Sequence, residues 1–214
     1  MRRRGVLLAL AAPVLARAPR AGCQPAPAAG PMRPQVLRPG EQLRGRFTQE
    51  RRLQGFARPL RSEGDFLLLP GRGLIWRSRA PFASTMVITP GGILQLLDGR
   101  EAMRLPIARA PGLGQFYRVL AGAMSGDPAN LDQVFAVGWQ ADAGHWQLTL
   151  TPRRADDPAL ASIASIAVSG SRLVEAVEVR KANGDADLMA FHDQQVGPAV
   201  PDAAEQALLS QLAP

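Results

Sequence analysis

The segment GDFLLLPGRGLIWRS, residues 64–78, constrains the fold more than any other part of the chain. Two apolar runs, Phe66 to Leu69 and Leu74 to Trp76, are separated only by a stretch holding the breakers Pro70, Gly71 and Gly73, which marks a tight turn. A strand with one face in water alternates apolar and polar residues, because successive side chains point to opposite faces. These runs do not alternate, and Ile93-Leu94-Gln95-Leu96-Leu97 barely does. Both faces of this part of a sheet therefore need cover.

The remaining signals are mostly for strands, each bounded by Gly, Pro or Asp. They fall at Leu43 to Leu53, Gly64 to Leu69, Gly73 to Arg79, Ser84 to Thr89, Ile93 to Leu97, Val134 to Gln140, Trp146 to Thr151, Ile163 to Val168, Leu173 to Arg180 and Ala186 to His192. Hairpin turns are expected at Gly91-Gly92, Asp98-Gly99, Asp142-Ala143-Gly144, Gly170-Ser171 and Asn183-Gly184-Asp185. Leu113, Phe116, Tyr117, Leu120, Ala121 and Met124 recur at three- and four-residue spacing, which predicts an amphipathic helix over 113–124. A short helix with Asp202 as N-cap is expected to end at Leu212. The order meander, helix, meander gives a mostly β or α+β chain built on a long antiparallel sheet. So few helices cannot cover two faces of it: a bound apolar molecule would supply the missing cover, or the sheet would curve closed on its own side chains and leave no cavity.

Charge narrows the range of partners. The chain carries 25 basic and 18 acidic side chains, a formal +7, which first suggests nucleic acid or an anionic membrane. Seven of those bases, all arginine, lie in residues 1–40, which hold no acid, so the remainder is neutral at 18 against 18. A neutral body argues against phosphate-backbone binding, which needs a net basic face. Residues 1–23 read as an export signal: Arg2-Arg3-Arg4, then the apolar Val6 to Ala16, too short for the roughly 20 residues of a membrane span. Ala21-Gly22-Cys23 offers an alternative, a lipid anchor through Cys23. Residues 24–40, rich in Pro and Ala, read as a tether, and residues 41–214 as one domain. Cys23 is the only cysteine, so the body has no internal disulfide and no thiolate cluster.

Several pieces in collinear order carry a family likeness. Phe47-Thr48-Gln49, then Pro59-Leu60-x-Ser62-x-Gly64-x-Phe66, Gly73-Leu74-Ile75-Trp76, Pro81-Phe82 and Gly91-Gly92 resemble the outer-membrane lipoprotein carrier protein (LolA) family. Trp146 to Pro152, the hairpin Ile163 to Val179, Asn183-Gly184-Asp185 and Phe191 fit its later strands, so the resemblance spans roughly residues 43–197. It implies an unclosed, curved antiparallel half-barrel, lidded by short helices over a hydrophobic cavity. It further implies a monomeric periplasmic carrier of lipoprotein acyl chains or another envelope lipid, working between an inner-membrane donor and an outer-membrane acceptor. The chain departs from the family in two places. Where members have a basic residue before proline, linked to cargo release, this chain has Leu69-Pro70, and Arg72 is the nearest candidate for a switch. Pro31, Pro34 and Pro39 leave little room for the family's first helix.

The expected cavity lining is Leu68, Leu74, Trp76, Met86, Ile88 and Leu96 from the sheet and Phe116, Tyr117, Leu120 and Met124 from the helix. A bulge at Gly71 or Gly73 would shift the register and exchange the faces. No catalytic residue, cofactor or metal site is expected, since His145 and His192 lack partners at a recognisable spacing. A lipid-modifying enzyme using His192-Asp193, and a lipid sensor without delivery, stand as the alternatives.

Overall fold

The computed structural model describes residues 34–109, 122, 131–154 and 160–212. Its strands are β1 (Glu41–Arg52), β2 (Leu60–Leu69), β3 (Gly73–Ala80), β4 (Ser84–Ile88), β5 (Gly92–Leu97), β6 (Arg100–Pro106), β7 (Phe135–Ala141), β8 (Trp146–Pro152), β9 (Ile163–Gly170), β10 (Val174–Lys181) and β11 (Ala186–Pro198), followed by the helix α1 (Ala203–Ser210). They form one 11-stranded antiparallel sheet in the order β6-β5-β4-β3-β2-β1-β11-β10-β9-β8-β7. Two meanders thus run outward from a central β1–β11 pair. β6 and β7 stay apart at the two edges, so the sheet is unclosed.

The largest departures from the sequence reading are an added strand, β6, and a longer β11, while β2 begins at Leu60 and not at Gly64. The sequence does not announce β6, because Arg100-Glu101-Ala102-Met103-Arg104 carries too few apolar residues to stand out; it forms because Asp98 and Gly99, at φ 48 and 76, turn β5 back on itself. β11 continues beyond His192 to Pro198 through an irregularity opposite Gly45, where Asp193 takes φ 53 and the alternation breaks. The helix expected over 113–124 lies outside the described residues, apart from Gly122. Residues 34–40, part of the segment read as a tether, pack on the body: Leu37 is buried and the Gln35 amide donates to the Arg172 carbonyl at 2.7 Å.

Register settles which side chains share a face. Leu69 pairs with Gly73, Leu68 with Leu74 and Phe66 with Trp76 without interruption, so the β2–β3 turn introduces no bulge. The register shift falls instead between Glu63 and Gly64. A Cβ on Gly64 would lie 1.7 Å from the Arg77 carbonyl oxygen, which only glycine avoids.

One face of the sheet is concave. Trp76 on β3 and Phe191 on β11 are three strand spacings apart, about 14 Å on a flat sheet, yet their ring centroids lie 6.0 Å apart. This face gathers a core from both meanders, including Leu43, Phe47, Phe66, Leu68, Leu74, Phe135, Trp146, Leu148, Leu150, Ile166 and Val168. The opposite, convex face of β2–β5 carries Leu67, Leu69, Ile75, Val87 and Leu94, and these pack against Leu209 and Leu212 of the C-terminal segment. Here is the cover that the non-alternating runs demand: the inner core on one side, α1 and its tail on the other.

α1 is fixed by polar contacts as well. Asp202 caps it, accepting from the Glu205 amide at 2.8 Å while Glu205 accepts from the Asp202 amide at 2.9 Å. Glu205, 1% exposed, takes two 2.7 Å hydrogen bonds from the Arg44 guanidinium on β1 and longer ones from Arg77 on β3. Beyond the helix, Thr89 donates to the Leu212 carbonyl and Arg104 to the Gln211 carbonyl.

Candidate functional site

The concave face is built around aromatic rings. Trp76 stacks on Phe47 at 3.8 Å and lies 6.1 Å from Phe66, while Phe191 meets Phe66 and Trp76 edge-on. Strand alternation puts these rings here: Phe47 follows Leu43 and Gly45 along β1, and Gly45 is open enough to admit the Phe66 ring, which a Cβ would approach to 2.8 Å. Of the expected lining, Leu68, Leu74, Trp76, Met86 and Ile88 share this face by register. Leu68, Leu74 and Ile88 are buried, whereas Trp76 and Met86 are half-buried. Leu96 does not join them. It alternates with Leu94 onto the convex face and packs against the cluster beneath α1. Phe116, Tyr117, Leu120 and Met124 lie outside the described residues. Arg72 is exposed in the β2–β3 turn, held through its amide to the Leu69 carbonyl, and Leu69 itself points to the convex face under α1.

Toward β7 the same face opens. Phe135, Val137, Trp139 and Ala141 alternate onto it opposite Pro152, Leu150, Leu148 and Trp146 of β8. Phe135 is fully buried, but Val137 and Trp139 remain 42% and 44% exposed. Trp139 stacks on Trp146 at 5.6 Å with the planes 5° apart, and the Trp146 indole N–H donates to the Ser171 carbonyl. Two aromatic platforms therefore stand on one concave surface, the first enclosed and the second open. Sequence reasoning passes over the second, although the period-two spacing of Phe135, Val137 and Trp139 is legible.

At the end of the concave face beyond Phe47 the lining turns ionic. Asp187, buried on the same face as Met189 and Phe191, accepts from Arg51 at 2.6 Å and Gln49 at 3.3 Å, and pairs with Lys181 at 3.0 Å. Burial pushes the Asp187 carboxyl up, but hydrogen bonds and charge from Arg51 and Lys181 outweigh it and hold the carboxyl below its ordinary range. The apolar surface is thus bounded on this side by fixed charge.

Polar clefts lie elsewhere. One of about 350 Å³ is lined by Asp65, Arg77, Arg79 and Thr85, where Arg77 and Arg79 pair with Asp65. Another, of about 510 Å³, is lined by Gln49, Glu50, Arg61 and Ser62 among others. In the second cleft Arg61 pairs with Glu50, and neither cleft contains a histidine. His145 sits in the β7–β8 turn, 3.3 Å from Glu175, and Asp193 next to His192 pairs with Arg46 at 3.6 Å. Among the described residues no group of three His, Cys, Asp or Glu side chains could hold a metal ion.

An unclosed half-barrel with an apolar concave face is the scaffold of a binding or carrier protein. The chain belongs to the family described as outer membrane lipoprotein carrier protein LolA-like, whose profile matches residues 32–208. Similar solved structures include a LolA superfamily protein from Nitrosomonas europaea, at 10% identity over 79% of this chain and 92% of that one, with a TM-score of 0.44. A putative outer membrane lipoprotein-sorting protein domain from Vibrio parahaemolyticus is 9% identical over 81% of this chain and 93% of its own, with a TM-score of 0.42. MucB from the Pseudomonas aeruginosa MucA/MucB complex is 15% identical over 79% of this chain and 56% of its own, with a TM-score of 0.37. None of the curated proteins matches the chain. The family is one of binding and carrier proteins and implies a place in the cell envelope. No helix among the described residues is long and apolar enough to cross a membrane.

Proposed function

We propose that this protein is a periplasmic carrier that holds the acyl chains of a lipoprotein, or of another envelope lipid, against its concave face and passes them toward the outer membrane. In this reading residues 1–23 direct export, and the folded body acts as a monomer between an inner-membrane donor and an outer-membrane acceptor. The observation that carries it is the open part of the concave face. Val137 and Trp139 sit beside fully buried Phe135 and Leu150 on one continuous apolar surface, yet stay more than two-fifths exposed. Apolar surface on the inside of an unclosed sheet is where an acyl chain gains most by leaving water. Trp76, Met86, Leu68, Leu74 and Ile88 would form the inner wall and Val137 and Trp139 the outer one.

Binding of a fluorescent fatty-acid probe to the purified protein tests this. Trp139→Glu puts a charge on the open platform, and probe affinity is expected to fall at least about tenfold while the unfolding midpoint moves less than for a buried ring, since Trp139 is already 44% exposed. Trp76→Ala is expected to weaken binding and to destabilise the fold as well, because its ring packs against three others. Unchanged probe affinity in a folded Trp139→Glu protein would refute the assignment.

A further inference from the structure

The two ends of the β1–β6 meander differ in what they show to solvent. At one end lie the β1–β2 loop, the β3–β4 loop and the β5–β6 turn; at the other lie the β2–β3 and β4–β5 turns. The first three expose Phe56 (67%), Leu60 (54%), Phe82 (79%) and Leu97 (46%). The β2–β3 and β4–β5 turns, built from Pro70-Gly71-Arg72 and Pro90-Gly91, expose no large apolar side chain of this kind. At that opposite end the exposed apolar residues are Val36 and Val200, on the segments entering β1 and leaving β11.

The tips are held in place. The Asp98 amide donates to the Ala83 carbonyl at 3.2 Å, joining the β5–β6 turn to the β3–β4 loop, and the Gln54 amide donates to Asp185 at 2.9 Å, pinning the β1–β2 loop to the β10–β11 turn. Neighbouring tips in this meander are two strands apart, so they stand in a row at intervals of roughly 10 Å. Arg58 and Arg100 lie on them, and neither is ion-paired among the described residues; Asp98 is the one acid between Leu53 and Leu60, Ala80 and Ser84, or Leu97 and Arg100.

We infer that this end of the sheet docks on a lipid bilayer bearing anionic headgroups, with Phe56, Phe82, Leu60 and Leu97 entering the interface and Arg58 and Arg100 resting on phosphates. Separate prominences, each one side chain deep, suit a fluid planar surface that closes around every tip. A folded partner of fixed shape would need three pockets at matching intervals. Large apolar side chains flanked by arginine at one edge are the composition of an interfacial anchor. The inference does not depend on what the concave face holds.

The test uses the whole chain with Cys23→Ser, so that one introduced cysteine carries an environment-sensitive fluorophore. Phe82→Cys reports on a tip and Arg72→Cys on the opposite end. With vesicles of phosphatidylethanolamine and phosphatidylglycerol, the label at position 82 shifts to the blue and the label at position 72 does not. Pure phosphatidylcholine gives a weaker response. In the unlabelled chain, Phe56→Ser with Phe82→Ser weakens partition into the anionic vesicles by about tenfold or more. An absent shift at position 82 overturns the inference even if the chain sediments with vesicles, since the apolar N-terminal segment would then be doing the binding. Equal shifts at both positions, an unaltered partition of the double variant, or a vesicle-independent shift that grows with protein concentration, the mark of self-association, would each overturn it too.

Discussion

Replacing Glu205 with glutamine is the sharpest perturbation of the fold that the structure offers. The carboxylate is 1% exposed and receives both hydrogen bonds of a bidentate Arg44 pair, with Arg77 adding two contacts at 3.3 Å. The Arg44 hydrogen bonds, reinforced by the Asp202 amide and by Arg77, hold its pKa at about 2 against an ordinary 4.5, although burial pushes the other way. At about 1.4 kcal/mol per unit, that shift corresponds to ~3 kcal/mol; because Arg44 is 36% exposed and partly screened, ~2 kcal/mol is the expected loss. The carboxamide oxygen of the variant would still accept from the Asp202 amide, so the loss is of charge and not of the cap. Since the folded pKa lies below the unfolded one, the contribution is complete above about pH 4.5 and is lost as pH falls through about 2. Urea unfolding followed by tryptophan fluorescence should therefore give a gap between wild type and Glu205→Gln that is full at pH 7 and narrows steadily below pH 4.5. Amide exchange at Leu209 and Leu212 should accelerate in the variant at pH 7. A gap under ~0.5 kcal/mol at pH 7, or one that does not change between pH 7 and pH 2, would refute the account of how the helix is held.

Gly64→Ala is expected to cost more than ~2 kcal/mol or to prevent folding, because its Cβ would overlap the Arg77 carbonyl and no side-chain rotation relieves a backbone clash; thermal denaturation checks this. Leu209→Ala should lower stability by ~2–3 kcal/mol through the cavity left on the convex face, with fatty-acid probe affinity unchanged in the folded protein. Leu96→Glu separates the two faces: it should destabilise the packing beneath α1 and leave probe affinity within about twofold, and a selective loss of probe binding would return Leu96 to the lining. With Leu69-Pro70 in place of the family's basic residue and proline, this chain should fail to sustain growth when the housekeeping lipoprotein carrier of a Gram-negative host is depleted. Restored growth with lipoproteins reaching the outer membrane would show that delivery needs no residue of that kind here.

The long sheet, its two-meander order, most strand positions and the capped C-terminal helix are legible in the sequence because each rests on local signals: Gly and Asp turns, β-rich runs and an Asp202–Glu205 spacing. What a single strand cannot reveal is which of its two apolar faces looks inward. Leu96 shows the limit, since Ile93 to Leu97 is apolar almost throughout and only its pairing with Thr85 places it on the convex side. β6 escapes for the opposite reason: its charged residues resemble a loop until Arg104 is seen bonding to Gln211 and Glu101. The ion-pair network at Glu205 spans 161 residues in sequence from Arg44, a separation that no spacing rule reaches.

The covered outer face changes what the two-sided apolar runs say about cargo. Taken alone they call for an apolar filler, but α1 with Leu212 supplies the cover on the convex side and the ring cluster of Phe47, Phe66, Trp76 and Phe191 occupies much of the concave one. On the carrier reading proposed above, an acyl chain would gain most of its binding energy where the face is still open, alongside Val137 and Trp139, with the packed rings around Trp76 serving as the inner wall. At about 0.8 kcal/mol per buried methylene, a strip that takes up about ten methylenes offers ~8 kcal/mol gross, against association costs of ~4–15 kcal/mol. Such a strip holds cargo weakly by itself. Tight holding then requires that the rings around Trp76 part to admit more of the chain, or that a second apolar surface close over Trp139. Tryptophan fluorescence distinguishes the two: parting changes the stacked Trp76 environment on probe binding, whereas closure alters the Trp139–Trp146 pair and leaves Trp76 as it was. A Trp76→Phe variant that keeps the Trp139–Trp146 pair, and a variant that keeps Trp76 alone, each compared with and without probe, would decide which of these movements accompanies any uptake of the probe.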